Sequence, residues 1–333
     1  MNNFRFVILI ILFAFSLPCM YGGCVVIYSS GDFESQTEQP QEDESSGGFE
    51  GLTSQAAITP ANAESLAAGA FAGGLSGTAS QSLKLSQRSY SGQTYVFRPL
   101  KYPLILVDCL RRIELDVELN MSGLSSIITE SNSLEGSCGG SLAYTLTFDR
   151  ISGKFSGDIL FADYCDDGVE ISGDTDVDGT FEATSGVFET AAFSFDNLSD
   201  DSRTLDGEIS LDLSDTPLLA DLAVYSKDNQ TGKVYWLKNY SLNLFEFFNR
   251  IEIEIFGTFY HPDNGFVTVT TSEPFKVFDE DDWPSSGRLV IRGDGATRAQ
   301  LIAIDELQYR VEADTDGDGT FDWGPKIFRW TDL

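Results

Sequence analysis

From residue 141 to its end, the chain is a succession of short alternating segments closed by turn residues. That punctuation fits an antiparallel sheet and little else. Thirteen such segments are readable between residues 142 and 330. The breaks between them carry turn chemistry, as in Thr184-Ser185-Gly186, Pro262-Asp263-Asn264-Gly265 and Gly293-Asp294-Gly295. A Gly-x-Phe pattern recurs at Gly153, Gly179, Gly186, Gly257 and Gly319. Its spacing is irregular, so the pattern predicts a hairpin meander rather than a repeat array. The expected class is mainly all-β: an antiparallel meander forming a barrel or curled sheet, with one short N-terminal helix. Two arrangements compete, a curled sheet with apolar faces inward and a transmembrane barrel with apolar faces outward.

One hairpin can be read down to its register. The turn Arg150-Ile151-Ser152-Gly153 sets Phe148 opposite Phe155, Tyr144 opposite Ile159 and Leu142 opposite Phe161. Continued outward, the register brings Cys138 opposite Cys165, on the same face as those aromatics. Directly opposed residues lie close enough for a bridge, so a Cys138–Cys165 disulfide is expected.

Oxidation requires export, and the N-terminus supplies a signal for it. Arg5 precedes the apolar run Phe6 to Leu17, which is short for a membrane span. Cys24 follows Gly23 in an arrangement that resembles a bacterial lipoprotein signal, in which the cysteine is lipidated and becomes the first residue. Cys19, preceded by Pro18, fits that rule less well, and plain cleavage is the remaining alternative. The resemblance extends to sorting: Val25 rather than Asp after the cysteine implies the outer membrane. Residues 1–24 therefore read as a lipoprotein-type signal, and 25–58 as a disordered acidic tether rich in Ser, Gly and Gln. Residues 59–80 read as a short helix and connector, with Thr59 as N-cap, Pro60 in the first turn and Gly73-Gly74 at the end. Residues 81–333 form the β-rich domain. Within it, Tyr102 to Leu119 is ambiguous: the start suits a helix, while Ile113, Leu115, Val117 and Leu119 alternate like a strand. Cys109 lies in this stretch and reads as a buried thiol.

Charge narrows the partners. Acidic residues number 52 against 21 basic ones, a formal net charge of −31. This argues against nucleic acid or an anionic membrane face as a partner, and the N-terminal lipid is the expected membrane contact. A protein or glycan partner stays unspecified.

Few residues suggest chemistry. In Asp314-Thr315-Asp316-Gly317-Asp318-Gly319-Thr320-Phe321-Asp322, the residues Asp314, Asp316, Asp318, Thr320 (through its carbonyl) and Asp322 hold alternate positions of an EF-hand-type calcium loop. The twelfth position is Pro325 and the flanks read as strands, so a calcium loop at a hairpin tip is the expectation, not an EF-hand. The similar Asp174 to Glu182 reads instead as an amphipathic strand with an acidic outer face. His261 is the only histidine and sits before Pro262 in a turn, which leaves a Ser-His-Asp relay or a multi-histidine zinc site without partners. No catalytic residue and no organic cofactor is assigned. Tyr235 and Trp236, with Phe245, Phe247 and Phe248, could line a cavity or a glycan platform.

The stretch from Cys138 onward resembles a group of β-rich lipoproteins and secreted proteins of Gram-negative bacteria with no assigned activity. Cys138-Gly139-Gly140-Ser141, Asp163-Tyr164-Cys165, Tyr260-His261-Pro262-Asp263, Gly265 to Thr271, Pro284-Ser285-Ser286-Gly287 and Asp314 to Gly319 carry the resemblance. It implies a β fold and an envelope location. The expectation is an exported, lipid-anchored envelope β-domain with a binding or structural role. A carrier of an apolar ligand and a carboxylate-dependent hydrolase are the alternatives.

Overall fold

A computed structural model describes residues 48–73, 101–118, 125–166, 169–200, 202–214, 217–278 and 281–333. The signal segment with Cys19 and Cys24, the tether up to residue 47 and the connector from residue 74 lie outside the described residues.

Fourteen strands form one antiparallel sheet in sequence order, an unbroken meander that does not close. The first seven are β1 (Ile127–Glu135), β2 (Gly139–Asp149), β3 (Lys154–Asp166), β4 (Val169–Phe181), β5 (Phe188–Ser199), β6 (Arg203–Asp212) and β7 (Leu218–Asp228). The second seven are β8 (Val234–Phe247), β9 (Arg250–His261), β10 (Gly265–Phe278), β11 (Ser286–Arg292), β12 (Arg298–Asp305), β13 (Gln308–Asp314) and β14 (Trp323–Arg329). Thirteen of them match the segments read from the sequence. The fourteenth, β1, has a polar, mostly exposed sequence (IITESNSLE) and gives no apolar alternation to read.

Alternation sends Leu142, Tyr144, Leu146 and Phe148 of β2 inward, with Phe155, Ile159 and Phe161 of β3 beside them. The opposite face of β4 carries Asp174, Asp176 and Asp178, all exposed, as expected for an amphipathic strand. Apolar side chains thus face inward and acidic ones outward. The curl is built from bulges. β3, β5 and β8 shift register against the following strand at Phe161/Tyr164, Phe195/Leu198 and Lys238/Ser241. Each bulge holds an Asp or Asn at positive φ: Asp163 at 50°, Asn197 at 65° and Asn239 at 48°. Those side chains tolerate the left-handed region better than other non-glycine residues do. Glycine takes the close approaches nearby. A Cβ on Gly207 would stand 2.1 Å from the Ala223 carbonyl oxygen, and one on Gly257 would stand 2.4 Å from that of Asn239.

Two helices fill the inside of the curl, where one was expected. α1 (Ala63–Phe71) is buried on nearly every side, not along one stripe. Its Ala and Gly residues are small enough to lie between facing parts of the sheet, and Phe71 packs on Phe275 and Trp330 with ring centroids 4.8 and 5.1 Å apart. Its N-cap position is Asn62, not Thr59, and the Asn62 side chain accepts the Thr59 N–H at 2.7 Å. α2 (Lys101–Glu118) is helical throughout, which overturns the strand-like reading of its second half. Tyr102, Leu106, Cys109, Leu110 and Ile113 are buried, and their spacing places them on one helical face. Tertiary burial of that face overrides the shorter alternating pattern.

The tether reading also ends earlier than residue 58. Residues 48–58 form a strap fixed to the sheet. Phe266 N–H donates to the Ser54 carbonyl at 3.0 Å, and Ala56 N–H to the Phe266 carbonyl at 2.8 Å. This pairing fills the edge of β10 beyond the end of β11, with Gln55 in a parallel bridge to Phe266. Ala56 and Ile58 then enter the core, while Phe49 lies 7 % exposed on the outer face.

The Cys138–Cys165 bridge is formed, with Cα atoms 5.2 Å apart. The expected register holds from Asp149/Lys154 to Ser141/Ala162. A bulge then shifts it by one, so that Gly139 and not Cys138 pairs with Cys165. Gly140, at φ +60°, sits in this bulge, where a Cβ would overlap the Asp163 carbonyl. Replacing both cysteines by serine should lower the unfolding free energy by about 3–4 kcal/mol, as the chain-entropy model gives for a loop of this size. Urea denaturation of oxidised wild type against the double variant measures it. Removing the ring in Phe49→Ala should shift tryptophan emission to the red by exposing Trp236, with the sheet's far-UV circular dichroism unchanged.

Candidate metal centre and outer-face surfaces

The loop joining β13 to β14 starts from a buried carboxylate. Asp314 is 1 % exposed. Its Oδ1 accepts the Gly317 N–H and its Oδ2 the Gly319 N–H, both at 2.9 Å. Asp316 Oδ1 accepts the Asp318 N–H at 3.2 Å and Asp318 Oδ1 the Thr320 N–H at 2.7 Å. These local bonds wind the loop so that Asp314, Asp316 and Asp318 each offer an oxygen within 4.8 Å of the others. Three carboxylates at this separation repel one another, and a hard divalent cation relieves the repulsion with the oxygen donors it prefers.

Asp322, also expected as a ligand, is engaged elsewhere. Asp322 turns away from the triad and closes the loop, with Oδ1 accepting the Thr315 N–H and Oδ2 the Thr315 hydroxyl, both at 2.7 Å. Those bonds hold its carboxyl below the usual carboxylate range. Thr320 enters the described bonding through its N–H. Arg298 was not anticipated. Its Nε stands 3.4 Å from Asp314 Oδ2, its Nη2 donates to the Gly319 carbonyl at 2.5 Å, and its guanidinium lies 4.9 Å from the Phe321 ring centroid. It already balances part of the Asp314 charge. The open donors are therefore the exposed carboxylates of Asp316 and Asp318. No short spacing in the sequence links residue 298 to 314; only the β12–β13 register does.

The aromatic group proposed from the sequence divides. Tyr235 faces the core, packed against Phe259 and His261. Trp236 faces outward in a row with Tyr225 of β7, Tyr260 of β9 and Phe266 of β10, with successive centroids 5.3, 4.5 and 5.1 Å apart. Phe49 of the strap seats on this row, 6.0 Å from Trp236 and 5.7 Å from Tyr260. Phe245, Phe247 and Phe248 belong to the β8–β9 hairpin at the opposite end of the strands. His261 is a buried turn residue whose Nδ1 accepts the Asp263 N–H at 3.2 Å. Burial lowers its pKa.

Two polar groups, one buried and one half-buried, were not legible in the sequence. Arg203, at the start of β6, is buried, donates to Ser226 Oγ at 3.1 Å, and has its pKa lowered by desolvation. Asp200 beside it accepts the Tyr102 hydroxyl at 2.6 Å, which ties α2 to the β5–β6 turn. Cys109 is buried next to Tyr164, and burial pushes its thiol well above the ordinary range. Arg112 donates to the Tyr164 hydroxyl at 2.5 Å and to the Glu135 carbonyl at 2.6 Å, holding the other half of α2 over β1 and β3.

No family model, curated protein or solved structure matches this chain.

Calcium should raise the melting temperature if the triad binds it. Free ligand at about 100 times Kd adds about 2.7 kcal/mol to the stability. Asp316→Asn with Asp318→Asn should abolish that shift. The same pair should leave the metal-free melting temperature equal or higher, because it removes the repulsion. Scanning calorimetry with calcium and with chelator reads both effects.

Proposed function

We propose that this chain is an exported envelope protein, lipidated at Cys24 and held at the outer membrane or cell surface. Its β-domain acts by surface binding or as a structural element, and calcium stabilises the loop at Asp314, Asp316 and Asp318. The observation that carries the surface role is the filling of the curl. Among the described residues, α1 and α2 occupy the interior, and a pocket beside Gly73, Tyr102, Leu222, Leu237 and Tyr240 measures about 30 Å³. That is room for a water molecule, whereas sites for small organic ligands run to roughly 300–1,000 Å³. This pocket by itself offers no room for an apolar ligand of that size. A larger depression of about 560 Å³ lies open on the outer face, lined by hydroxyls of Thr147, Ser156, Thr180 and Thr190 with Lys154 and Asp178. Its lining, which also includes Ile127 and Phe155, is mixed polar and apolar and lies open to a surface partner. The oxidised Cys138–Cys165 pair supports an exported location, since disulfides persist outside the reducing cytosol.

Mass spectrometry of the mature N-terminus tests the anchor. The expected first residue is an acylated Cys24, and Cys24→Ser should move the protein from the membrane fraction to the soluble one. A mature chain beginning elsewhere overturns the proposal.

A further inference from the structure

An antiparallel meander places alternate hairpins at opposite ends of its strands. The same sheet therefore offers two sets of turns for comparison. One end carries the turns after β1, β3, β5, β7, β9, β11 and β13. Its described tips are mostly polar, with Asp200, Asp263, Asp294, Asp316 and Asp318 among them, while Phe321 in the β13–β14 turn and Leu52 beside the β9–β10 turn are its exposed apolar residues. The other end carries the turns after β2, β4, β6, β8, β10 and β12, together with the free start of β1.

Exposed large apolar side chains gather at that second end. Ile151 in the β2–β3 turn is 84 % exposed, Phe248 in the β8–β9 turn 99 % and Leu307 in the β12–β13 turn 63 %. Val187 beside the β4–β5 turn and Phe247 and Ile304 at hairpin ends are exposed as well. Ile127, at the start of β1, and Phe278, at the end of β10, share this end. Together these are eight of the twelve exposed large hydrophobic residues among those described. Basic residues stand close by: Arg150 next to Ile151, and Arg250 two residues from Phe248.

Turns tipped with Ile, Phe and Leu run against the ordinary chemistry of turns, which favours Gly, Asn, Asp and Ser. The opposite end of this sheet follows that preference apart from Phe321, and the apolar end adds its exposed Ile, Phe and Leu to turns that also hold polar residues such as Thr184, Ser185 and Asp282. Neighbouring hairpins on one end stand about 10 Å apart, two strand spacings. The apolar groups thus form a line of separate points, not a contiguous patch. Separate points fit a fluid surface that closes round each of them, more than the shaped face of a protein partner.

We infer that this end of the sheet rests on the bilayer surface, with Ile151, Phe248 and Leu307 entering the headgroup–acyl boundary of uncharged lipid. The net charge of −31 disfavours an anionic surface. The contact is a second attachment beyond the lipid at Cys24. The inference builds on the membrane-anchored reading, and its test uses a chain without acyl groups so that the two stand or fall separately.

The full-length chain carrying Cys19→Ser, Cys24→Ser and Phe248→Cys is labelled at residue 248 with an environment-sensitive fluorophore and mixed with phosphatidylcholine vesicles. A blue shift at residue 248 is expected. The same label placed through Leu160→Cys, on the outer face of β3, should stay at its aqueous wavelength. Adding Ile151→Asp and Leu307→Asp should weaken the partitioning reported at residue 248 by roughly tenfold or more. Both positions are exposed, so unchanged melting temperature confirms that these variants fold. No shift at 248, an equal shift at 160, or partitioning that survives the two Asp substitutions each overturns the inference. So does a shift that grows with protein concentration in the absence of vesicles, because the tips then meet a second copy.

Discussion

Burial of one continuous apolar face governs this fold. A sheet of fourteen strands that stays open has an inner surface too large to be covered by its own curl. The helices supply the missing cover. α1 brings Ala63, Leu66, Ala67, Ala70 and Phe71 against β9–β13, and α2 brings Leu106, Leu110 and Ile113 to the β5–β6 side. Each Leu, Ile or Phe side chain buried this way contributes about 1.5–3 kcal/mol, and each Ala methyl about 0.8 kcal/mol. Without the helices, that side of the core would face water. The aromatic cluster of Phe71, Phe275, Trp330, Trp283 and Tyr309 joins α1, β10, β13 and the C-terminal turn in one contact network.

The curl depends in turn on a few backbone positions. Asp163, Asn197 and Asn239 accept positive φ at bulges, and Gly207 and Gly257 allow the approach of a neighbouring carbonyl. These polar residues act at the level of local backbone geometry, yet they set the shape of the core. The side chains support the bends directly: Asp206 Oδ1 accepts the Asn197 N–H at 2.6 Å, and Ser172 Oγ donates to Asp163 Oδ1 at 2.8 Å. The exposed edges follow the usual protection against pairing. β1 is polar, and β14 carries Pro325 with Lys326.

Much of the sheet was legible because its period is short and its turns are local. Phe148 opposite Phe155 follows from residues a few positions apart, and thirteen strands were readable in that way. The legibility ended where a bulge intervened: Gly140 and Asp163 displaced the pairing at the cysteines by one residue without preventing their bond. It ended again at Ile113, where two periodicities overlapped and burial of the helical one prevailed. In the acidic loop, Asp314, Asp316 and Asp318 came together because a short loop determines its own conformation. Asp322 diverged because Thr315 offered it two hydrogen bonds, and Arg298 entered from a strand that only the folded register brings near.

The strap from Gly48 to Ile58 has a mechanical consequence. It crosses from the outer face, over the β9–β10 turn, into the core. Tension arriving along the chain from its N-terminal side meets Phe49 on the aromatic row first. It then meets the bond from Leu52 N–H to the Pro262 carbonyl at 3.0 Å, and after that the pairing of Ser54 and Ala56 with Phe266. These contacts lie in series and pass the load into the β9–β10 hairpin, so the strap is the first part to yield. The first lengthening under force comes from the strap, and the sheet keeps its shape until Ile58 is drawn from the core.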